Sequence, residues 1–389
     1  MLDLSKILSD IDGFGRERAQ SAEFLRDELS TANGVISEIA EDPASACRRI
    51  SDAKTSWLTA TFEENPSFAV PAPKLDSAHA VVAIDGSQIF ADKHEVALCY
   101  LINTSAVTLF YGCGERPIAL TRPMLFYKNE DLVQSYGGKE TRVDQKMVGF
   151  RRMVAEFNEL ERALPTLEKK GVPAVALMDG SMIYWALQGE PEDYRKWALG
   201  EVTRALDTAR GFGIPVAAYI SDPGARDFVN SLRVMLCDQQ IIDCDKCTHK
   251  KEDTKPPCEK VGRLKDSSVF GSKLDNGCRT VVFSSKSKIL DEYGDHRVQS
   301  FYLNAGKEIA RIEIPAWVSA DRSMLDMVHF VCYDQAQKGR GYPVVLAEAH
   351  EHAVVRGSER AFFYETVQRA FIKHGAKITM SMKRLSKGY

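Results

Sequence analysis

Two apolar segments of this chain end in the same tripeptide, Asp-Gly-Ser. They are AVVAIDGS at residues 80–87 and AVALMDGS at residues 174–181. A continuous apolar run of this length, closed by turn-forming residues, predicts a strand buried on both faces. A third such run, VAAYISD, covers residues 216–222. Helical periodicity separates these runs, and strands that alternate with helices predict an α/β fold with a parallel or mixed sheet.

The acidic residues of the two tripeptides, Asp85 and Asp179, are the first candidates for a functional site. Ligands of open α/β sheets bind at the carboxyl ends of strands. Two aspartates at the ends of adjacent strands would repel each other unless a cation lay between them, and hard divalent cations take oxygen ligands. The alternative is that each Asp-Gly-Ser is only a turn.

A long helix is predicted between the two strands, and it supplies a third carboxylate. Stepping at 3.6 residues per turn places Glu161 within the apolar face, Glu159 opposite it and Glu156 near its edge. A carboxylate directed at a sheet is costly unless it is paired or bound to metal. A salt bridge to Arg151 or Arg152 is the alternative to a metal. The apolar face consists of Phe150, Met153, Val154, Phe157, Leu160 and Leu164.

The resulting order is strand with Asp, helix with Glu, strand with Asp. By analogy with a fold class, this order is that of RNase H-like nucleases, in which three carboxylates hold two Mg²⁺ or Mn²⁺ ions. Paired ions can activate water and stabilise the leaving oxygen of a phosphoryl displacement.

Taken together, the motifs resemble those of the NurA nuclease family. The resemblance rests on AVVAIDGS, the helix with Glu161, ALMDGS and above all GYPVVLAEAHEHAVV at residues 341–355. It implies an RNase H-like core, a homodimer and a HerA-type hexameric ATPase as partner. It further implies Mn²⁺-dependent DNA cleavage, of 5′-to-3′ exonuclease and single-strand endonuclease type, in end resection during double-strand break repair.

The resemblance also implies which residues form the active site. Asp85, Glu161 and Asp179 match the family's metal-binding carboxylates, and His350 is expected to ligate a metal or position the phosphate. Tyr342 matches a tyrosine whose hydroxyl can bind a phosphate oxygen. His352, two residues beyond His350, is the alternative assignment. The segment PVVLAEAH, residues 343–350, is expected to be a strand or a strand-to-helix junction.

The expected domain organisation has four parts. Residues 1–62 form an N-terminal helical region outside the strand–helix core, and the proline-rich residues 63–77 form a linker. Residues 78–375 form the NurA domain, an RNase H-like mixed sheet flanked by helices, with a Cys-rich insertion at 237–265. Residues 376–389 are a C-terminal tail. The segment at 96–114 is expected to contribute two strands.

The Cys-rich insertion departs from the family pattern. Cys237, Cys244, Cys247 and Cys258 are spaced C-x6-C-x2-C-x10-C within a polar loop. Zinc is the usual ion of a structural four-cysteine site, an iron–sulfur cluster is a second possibility, and unligated thiols are the third.

Composition leaves the function open. The net charge of −3 neither favours nor excludes DNA, because DNA binding needs a local basic groove and not a basic total. No apolar segment has signal-peptide or membrane-spanning length, so a cytoplasmic protein without a membrane partner is expected.

Two other functions are alternatives to a nuclease. A non-catalytic adaptor of a HerA-type ATPase is disfavoured by the intact set of site residues. An ASKHA-type phosphotransferase would need glycine-rich phosphate loops that VAIDGSQIF lacks.

Overall fold

The computed structural model describes residues 3–74, 78–91, 97–136 and 139–376. The predicted tail, 376–389, lies outside these ranges except for Ala376, and the predicted linker is described except for residues 75–77. The chain divides into two compact units. Unit 1 contains Met1–Ala72, Ile220–Leu290 and Val298–Glu313, and unit 2 contains Pro73–Tyr219, Asp291–Arg297 and Ile314–Tyr389.

The strands are β1 (Ala60–Phe62), β2 (His79–Ile89), β3 (Tyr100–Tyr111), β4 (Ile118–Phe126), β5 (Val133–Tyr136), β6 (Lys139–Arg142), β7 (Ala174–Asp179), β8 (Val216–Ile220), β9 (Phe283–Ser285), β10 (Val298–Asn304) and β11 (Ile309–Pro315). The helices are α1 (Leu8–Glu41), α2 (Pro43–Asp52), α3 (Asn129–Leu132), α4 (Gln145–Lys170), α5 (Glu192–Gly211), α6 (Asp227–Met235), α7 (Thr248–Glu252), α8 (Asp266–Gly271), α9 (Ala316–Ala320), α10 (Arg322–Lys338), α11 (Val344–Ala353) and α12 (Gly357–Lys373). None of the helices in the described ranges is both long and apolar enough to span a membrane.

Unit 2 is built on strands in the order β4-β3-β2-β7-β8. β2, β7 and β8 run parallel, whereas β2, β3 and β4 pair antiparallel. Helix α4 connects the antiparallel part to β7, and α5 connects β7 to β8. The predicted mixed sheet flanked by helices, with its RNase H-like sequence of strand, helix and strand, is confirmed.

Helices cover β2 on both faces, which explains its almost uninterrupted apolar sequence. Helices α4 and α11 each pack against β2 and β3. The α11 side is fixed by a hydrogen bond that the buried Ser105 hydroxyl of β3 donates to the Ala349 carbonyl at 2.6 Å. Two expectations are corrected here. Residues 343–350 belong to a helix, α11, apart from the preceding Pro343, and the 96–114 segment forms the single long strand β3.

Unit 1 contains strands in the order β1-β9-β10-β11, with antiparallel pairing from β1 to β10. The second half of α1 and helix α2 share one hydrophobic core with α6, α8 and these strands, to which Ile36, Ile50, Phe228, Phe270 and Phe283 contribute. Most of the predicted N-terminal helical region is therefore part of this core. The beginning of the chain differs, because Leu4, Leu8, Ile11 and Phe14 are all more than half exposed.

Candidate active site

Asp85 and Asp179 lie on adjacent parallel strands. The last paired residues of β2 and β7 are Ile84 and Met178, and the two aspartates follow them directly. Neighbouring strands are about 4.8 Å apart, and residues in register project to the same face of a sheet. The sequence-predicted pair of carboxylates is therefore brought together at one point of the sheet.

The two Asp-Gly-Ser tripeptides differ in structure. The second ends a strand as predicted, because Asp179 is the last residue of β7 and Gly180 adopts a left-handed φ of 82°. The first is not a strand end, since β2 continues past Asp85 to Ile89 while it pairs with β3. The prediction of a turn after Asp85 is thus wrong. Gly86 lies within strand β2.

Gly86 leaves room for a carboxylate of helix α4. A Cβ at this position would lie only 2.7 Å from Glu156 Oε1 and 3.1 Å from Arg152 Cγ. Arg152 donates hydrogen bonds to the Gly86 carbonyl, at 2.9 Å, and to Glu156 Oε1. Glu156 is buried. The missing side chain of Gly86 therefore lets a helix glutamate approach the strand that carries Asp85.

The electrostatics of Glu156 link it to both aspartates. Burial raises the pKa of the Glu156 carboxyl to about 7, Arg152 lowers it, and the negative charges of Asp85 and Asp179 raise it. Both aspartates are thus near enough to act on the charge of Glu156, and Arg152 is its counter-charge.

Glu161, the glutamate that was expected beside the two aspartates, faces helix α5 instead. Its carboxylate pairs with Arg204 and accepts a hydrogen bond from the Thr208 hydroxyl at 3.2 Å, and both partners lie on α5. Glu159 is buried but bound to Arg122 at 2.8 Å and Arg162 at 3.2 Å. The predicted helical phase is corrected accordingly: α4 packs against α5 as well as the sheet, and Glu161 faces α5.

His350 and Tyr342 each contact one of the two aspartates. His350, on α11, donates from Nδ1 to Asp85 Oδ2 at 2.8 Å, and its side chain is 60% exposed. The Tyr342 hydroxyl donates to Asp179 Oδ1 at 2.8 Å, and its ring packs edge-on against Tyr219. His352, the alternative to His350, instead accepts at its backbone carbonyl a long hydrogen bond from Asn103, at 3.4 Å.

A tight glycine-rich connection between α10 and α11 positions Tyr342. A Cβ on Gly339 would lie 1.8 Å from the Tyr342 carbonyl oxygen. Arg340 and Gly341 both adopt positive φ, 59° and 126°. The sequence signal for this turn is Gly-Arg-Gly-Tyr, a cluster of turn residues before an apolar run.

The donor set of this cluster fits a hard divalent cation. Asp85, Glu156 and Asp179 offer carboxylate oxygens, the ligands that Mg²⁺ and Mn²⁺ prefer. Gly86 keeps the approach to Glu156 Oε1 free of a side chain. Within the described parts of the chain, however, no three His, Cys, Asp or Glu side chains are already arranged to hold a metal ion. The carboxylates would have to close on the ion as it binds.

The four cysteines of the insertion lie in unit 1 and are all free thiols. Cys237 follows α6, Cys244 begins a one-turn 3₁₀ helix, Cys247 precedes α7, and Cys258 lies in the 3₁₀ helix Pro257–Val261. All four are partly buried.

Comparison with known proteins identifies a family and a similar fold. Residues 79–355 match the NurA domain family. The crystal structure of the NurA nuclease from Sulfolobus solfataricus is similar over 96% of this chain and 98% of that one, with a TM-score of 0.55 and 13% sequence identity. LC9-RNase H1, a type 1 RNase H with the type 2 active-site motif, aligns over 52% of this chain and 89% of its own, at 10% identity and a TM-score of 0.20. No curated protein matches the sequence.

Proposed function

Because the chain belongs to the NurA domain family, we propose that it is a divalent-metal-dependent DNA nuclease, a hydrolase of phosphodiester bonds. The observation that carries this proposal is that Asp85 and Asp179 follow paired residues of β2 and β7, with the buried Glu156 beside Gly86 and with a histidine and a tyrosine hydrogen-bonded to the two aspartates. Such a set of groups serves the cleavage of a phosphate ester better than a purely structural role, because a buried carboxylate near two others lowers stability unless a cation joins them.

Mn²⁺ or Mg²⁺ is the proposed cation, and Asp85, Glu156 and Asp179 would hold it. When bound, such ions lower the pKa of a coordinated water and stabilise charge on the attacking and leaving oxygens. Glu156 takes the role first assigned to Glu161, because Glu161 is paired with Arg204. Arg152 holds the Glu156 carboxylate and the Gly86 carbonyl in one arrangement, so it acts as a positioning residue.

The histidine and the tyrosine orient the site and contact the substrate. Asp85 accepts from Nδ1 of His350 and so fixes the ring, which leaves Nε2 to donate to a phosphate oxygen when the ring is protonated. Tyr342 holds Asp179 Oδ1 through its hydroxyl, which restricts the rotamers of a carboxylate at the end of a strand. Both residues thus reduce the side-chain motion that must be lost when metal and DNA bind.

The finer activity is proposed from the family resemblance. It comprises 5′-to-3′ exonuclease and single-strand endonuclease cleavage, dependent on Mn²⁺, together with a HerA-type hexameric ATPase in end resection and double-strand break repair. A homodimer belongs to the same proposal, and its contact surface includes the exposed apolar residues Leu4, Leu8, Ile11 and Phe14. Removing residues 1–16 should weaken self-association, measured by light scattering. The core should stay intact, because its α1 residues begin at Leu25.

A labelled linear DNA, incubated with the purified protein and either Mn²⁺ or EDTA, tests the proposal. We expect cleavage with Mn²⁺ only, and its loss in Asp85→Ala and Asp179→Ala variants that retain their fold. Glu161→Gln is the matched control and should cleave like the wild type. A wild-type protein that binds a HerA-type ATPase but never cleaves DNA, with or without that ATPase, would instead support the adaptor function.

A further inference from the structure

Four cysteine side chains of unit 1 surround one small cavity. Cys237, Cys244, Cys247 and Cys258 all line a space of about 30 Å³. A single water molecule requires about 10–15 Å³ of such space. The cavity therefore has room for a single ion.

Hydrogen bonds to other segments of unit 1 hold the backbone of three of these cysteines. The Cys237 carbonyl accepts a hydrogen bond from Arg49 at 2.6 Å, and the Cys258 carbonyl accepts one from Arg233 at 3.2 Å. The amide of Cys244 donates to the Lys54 carbonyl at 3.0 Å. The backbone of Cys237, Cys244 and Cys258 is thus anchored to the rest of unit 1.

The segment that carries the cysteines has almost no hydrophobic core of its own. Among its described side chains from Asp238 to Lys260, Ile242 alone is buried. A segment this polar cannot offset the entropy of its ordering by apolar burial, and small cysteine-rich segments of this kind are commonly ordered by a metal. A further donor, His249, is already engaged by Asp238 and Thr254 at 2.8 Å each, which leaves the thiols as the ligand set.

We propose that Cys237, Cys244, Cys247 and Cys258 bind one structural Zn²⁺ ion as a tetrathiolate site. Zinc–sulfur bonds are about 2.3 Å long, and structural zinc sites are closed and tetrahedral. Cys237, Cys244 and Cys258 line the same cavity as Cys247. A bound Zn²⁺ would hold all four cysteines as thiolates.

The site forms when the ion binds. In the described chain no three potential ligands are already at metal-binding spacing, so the cysteine side chains must rotate onto the ion. Binding and local ordering are coupled in such sites, and the binding free energy orders the segment. This site lies in unit 1, and the proposal does not depend on the nuclease activity.

Metal analysis of the full chain, purified without a metal-affinity column, tests the proposal. We expect about one zinc per chain in the wild type and in Cys113→Ser, a partly buried cysteine of unit 2. The double variant Cys244→Ser/Cys258→Ser should contain less than about a tenth of that amount. Trypsin should then cut the variant faster after the exposed Lys246 and Lys260.

A second measurement on the wild type covers the case in which the double variant does not fold. Titration with an organomercurial should release one zinc per chain, detected with a chromogenic chelator. Absence of zinc from the wild type, iron with acid-labile sulfide in its place, or a zinc content unchanged by the double substitution would each overturn the proposal.

Discussion

Gly86 and Glu156 fit together so closely that a methyl group on the first would lie 2.7 Å from Oε1 of the second. Real Cβ atoms do not approach an oxygen that closely, so an alanine at position 86 must displace the glutamate or its partner Arg152. The φ of Gly86 is not in the left-handed region, so an alanine at this position would crowd the Glu156 and Arg152 side chains without straining the backbone.

Gly86→Ala should therefore lower the DNA-cleavage rate by at least about 100-fold, because a displacement of about 1 Å near the reacting groups already costs that much. Single-turnover kinetics with Mn²⁺ would measure the loss. Gly149→Ala is the matched control within α4, since its Cβ would meet nothing within 4 Å. That control should retain its activity and gain about 0.5–1 kcal/mol in stability from the better helix former. Equal activity of both variants would contradict the placement of Glu156.

Exchanging single glutamates of α4 distinguishes the site residue from its neighbours. Glu156→Gln should abolish cleavage, by more than the roughly 10–100-fold that loss of an outer partner of a metal ligand costs. Glu161→Gln removes a partly exposed pair with Arg204 and should change the rate less than about twofold, with at most about 1 kcal/mol of stability lost. Retained cleavage in Glu156→Gln together with its loss in Glu161→Gln would restore the original assignment.

The strands and the two aspartates were predictable from the sequence, whereas the glutamate was not. The apolar runs of β2 and β7 are each followed by turn-forming residues, which favours strands, and parallel pairing then brings Asp85 and Asp179 into register. Helical periodicity did not identify the site glutamate of α4, because that helix contacts both the sheet and α5. No single apolar face therefore marks the carboxylate that points inward. The decisive feature, the space above Gly86, depends on the contact between two distant segments.

The same argument applies to α11 and to the connection before it. The apolar residues at 343–350 are compatible with a strand or a buried helix, and periodicity does not separate the two over so short a run. Pro343 directly before Val344 is typical of a helix start, and the glycines at 339 and 341 are typical of a tight turn. Weighing these signals would have predicted the helix that carries His350.

The pH dependence of stability should reveal the buried carboxyl of Glu156. Its pKa in the folded protein is about 7, against an ordinary value of 4.5, so folding favours the protonated form. The stability that this group contributes is present at low pH and is lost as the pH rises from about 4.5 to 7. In EDTA, Glu156→Gln should therefore gain about 2–3 kcal/mol over the wild type between pH 5 and pH 8.

Urea unfolding at these two pH values measures the effect, and Glu161→Gln serves as the control, with no such gain. The same carboxyl must lose its proton to bind a cation, so Mn²⁺ affinity should rise as the pH approaches 7. A wild-type protein whose difference in stability from Glu156→Gln is the same at both values would show that the Glu156 carboxyl is not buried against the aspartates.

The two residues that contact the aspartates should have smaller effects than the aspartates themselves. Tyr342→Phe removes the hydrogen bond to Asp179, and His350→Ala removes the one to Asp85. Each should reduce cleavage by about 10–100-fold. His350→Ala also removes the proposed donor to a phosphate oxygen. His352→Ala is its control and should cleave normally. Equal losses of cleavage rate in both histidine variants would contradict the assignment of His350 to the site.

The central claim is that Asp85, Glu156 and Asp179 together form a divalent-metal site, and calorimetric titration of Mn²⁺ at pH 7.5 tests it without requiring catalysis. Zinc-loaded protein is used throughout, so that Mn²⁺ does not bind at the cysteines. We expect saturable Mn²⁺ binding in the wild type and in Glu161→Gln, and its loss in folded Asp85→Asn/Asp179→Asn protein. Mn²⁺ binding of equal affinity in that double variant, or none in the wild type even with a DNA oligonucleotide present, would contradict the claim.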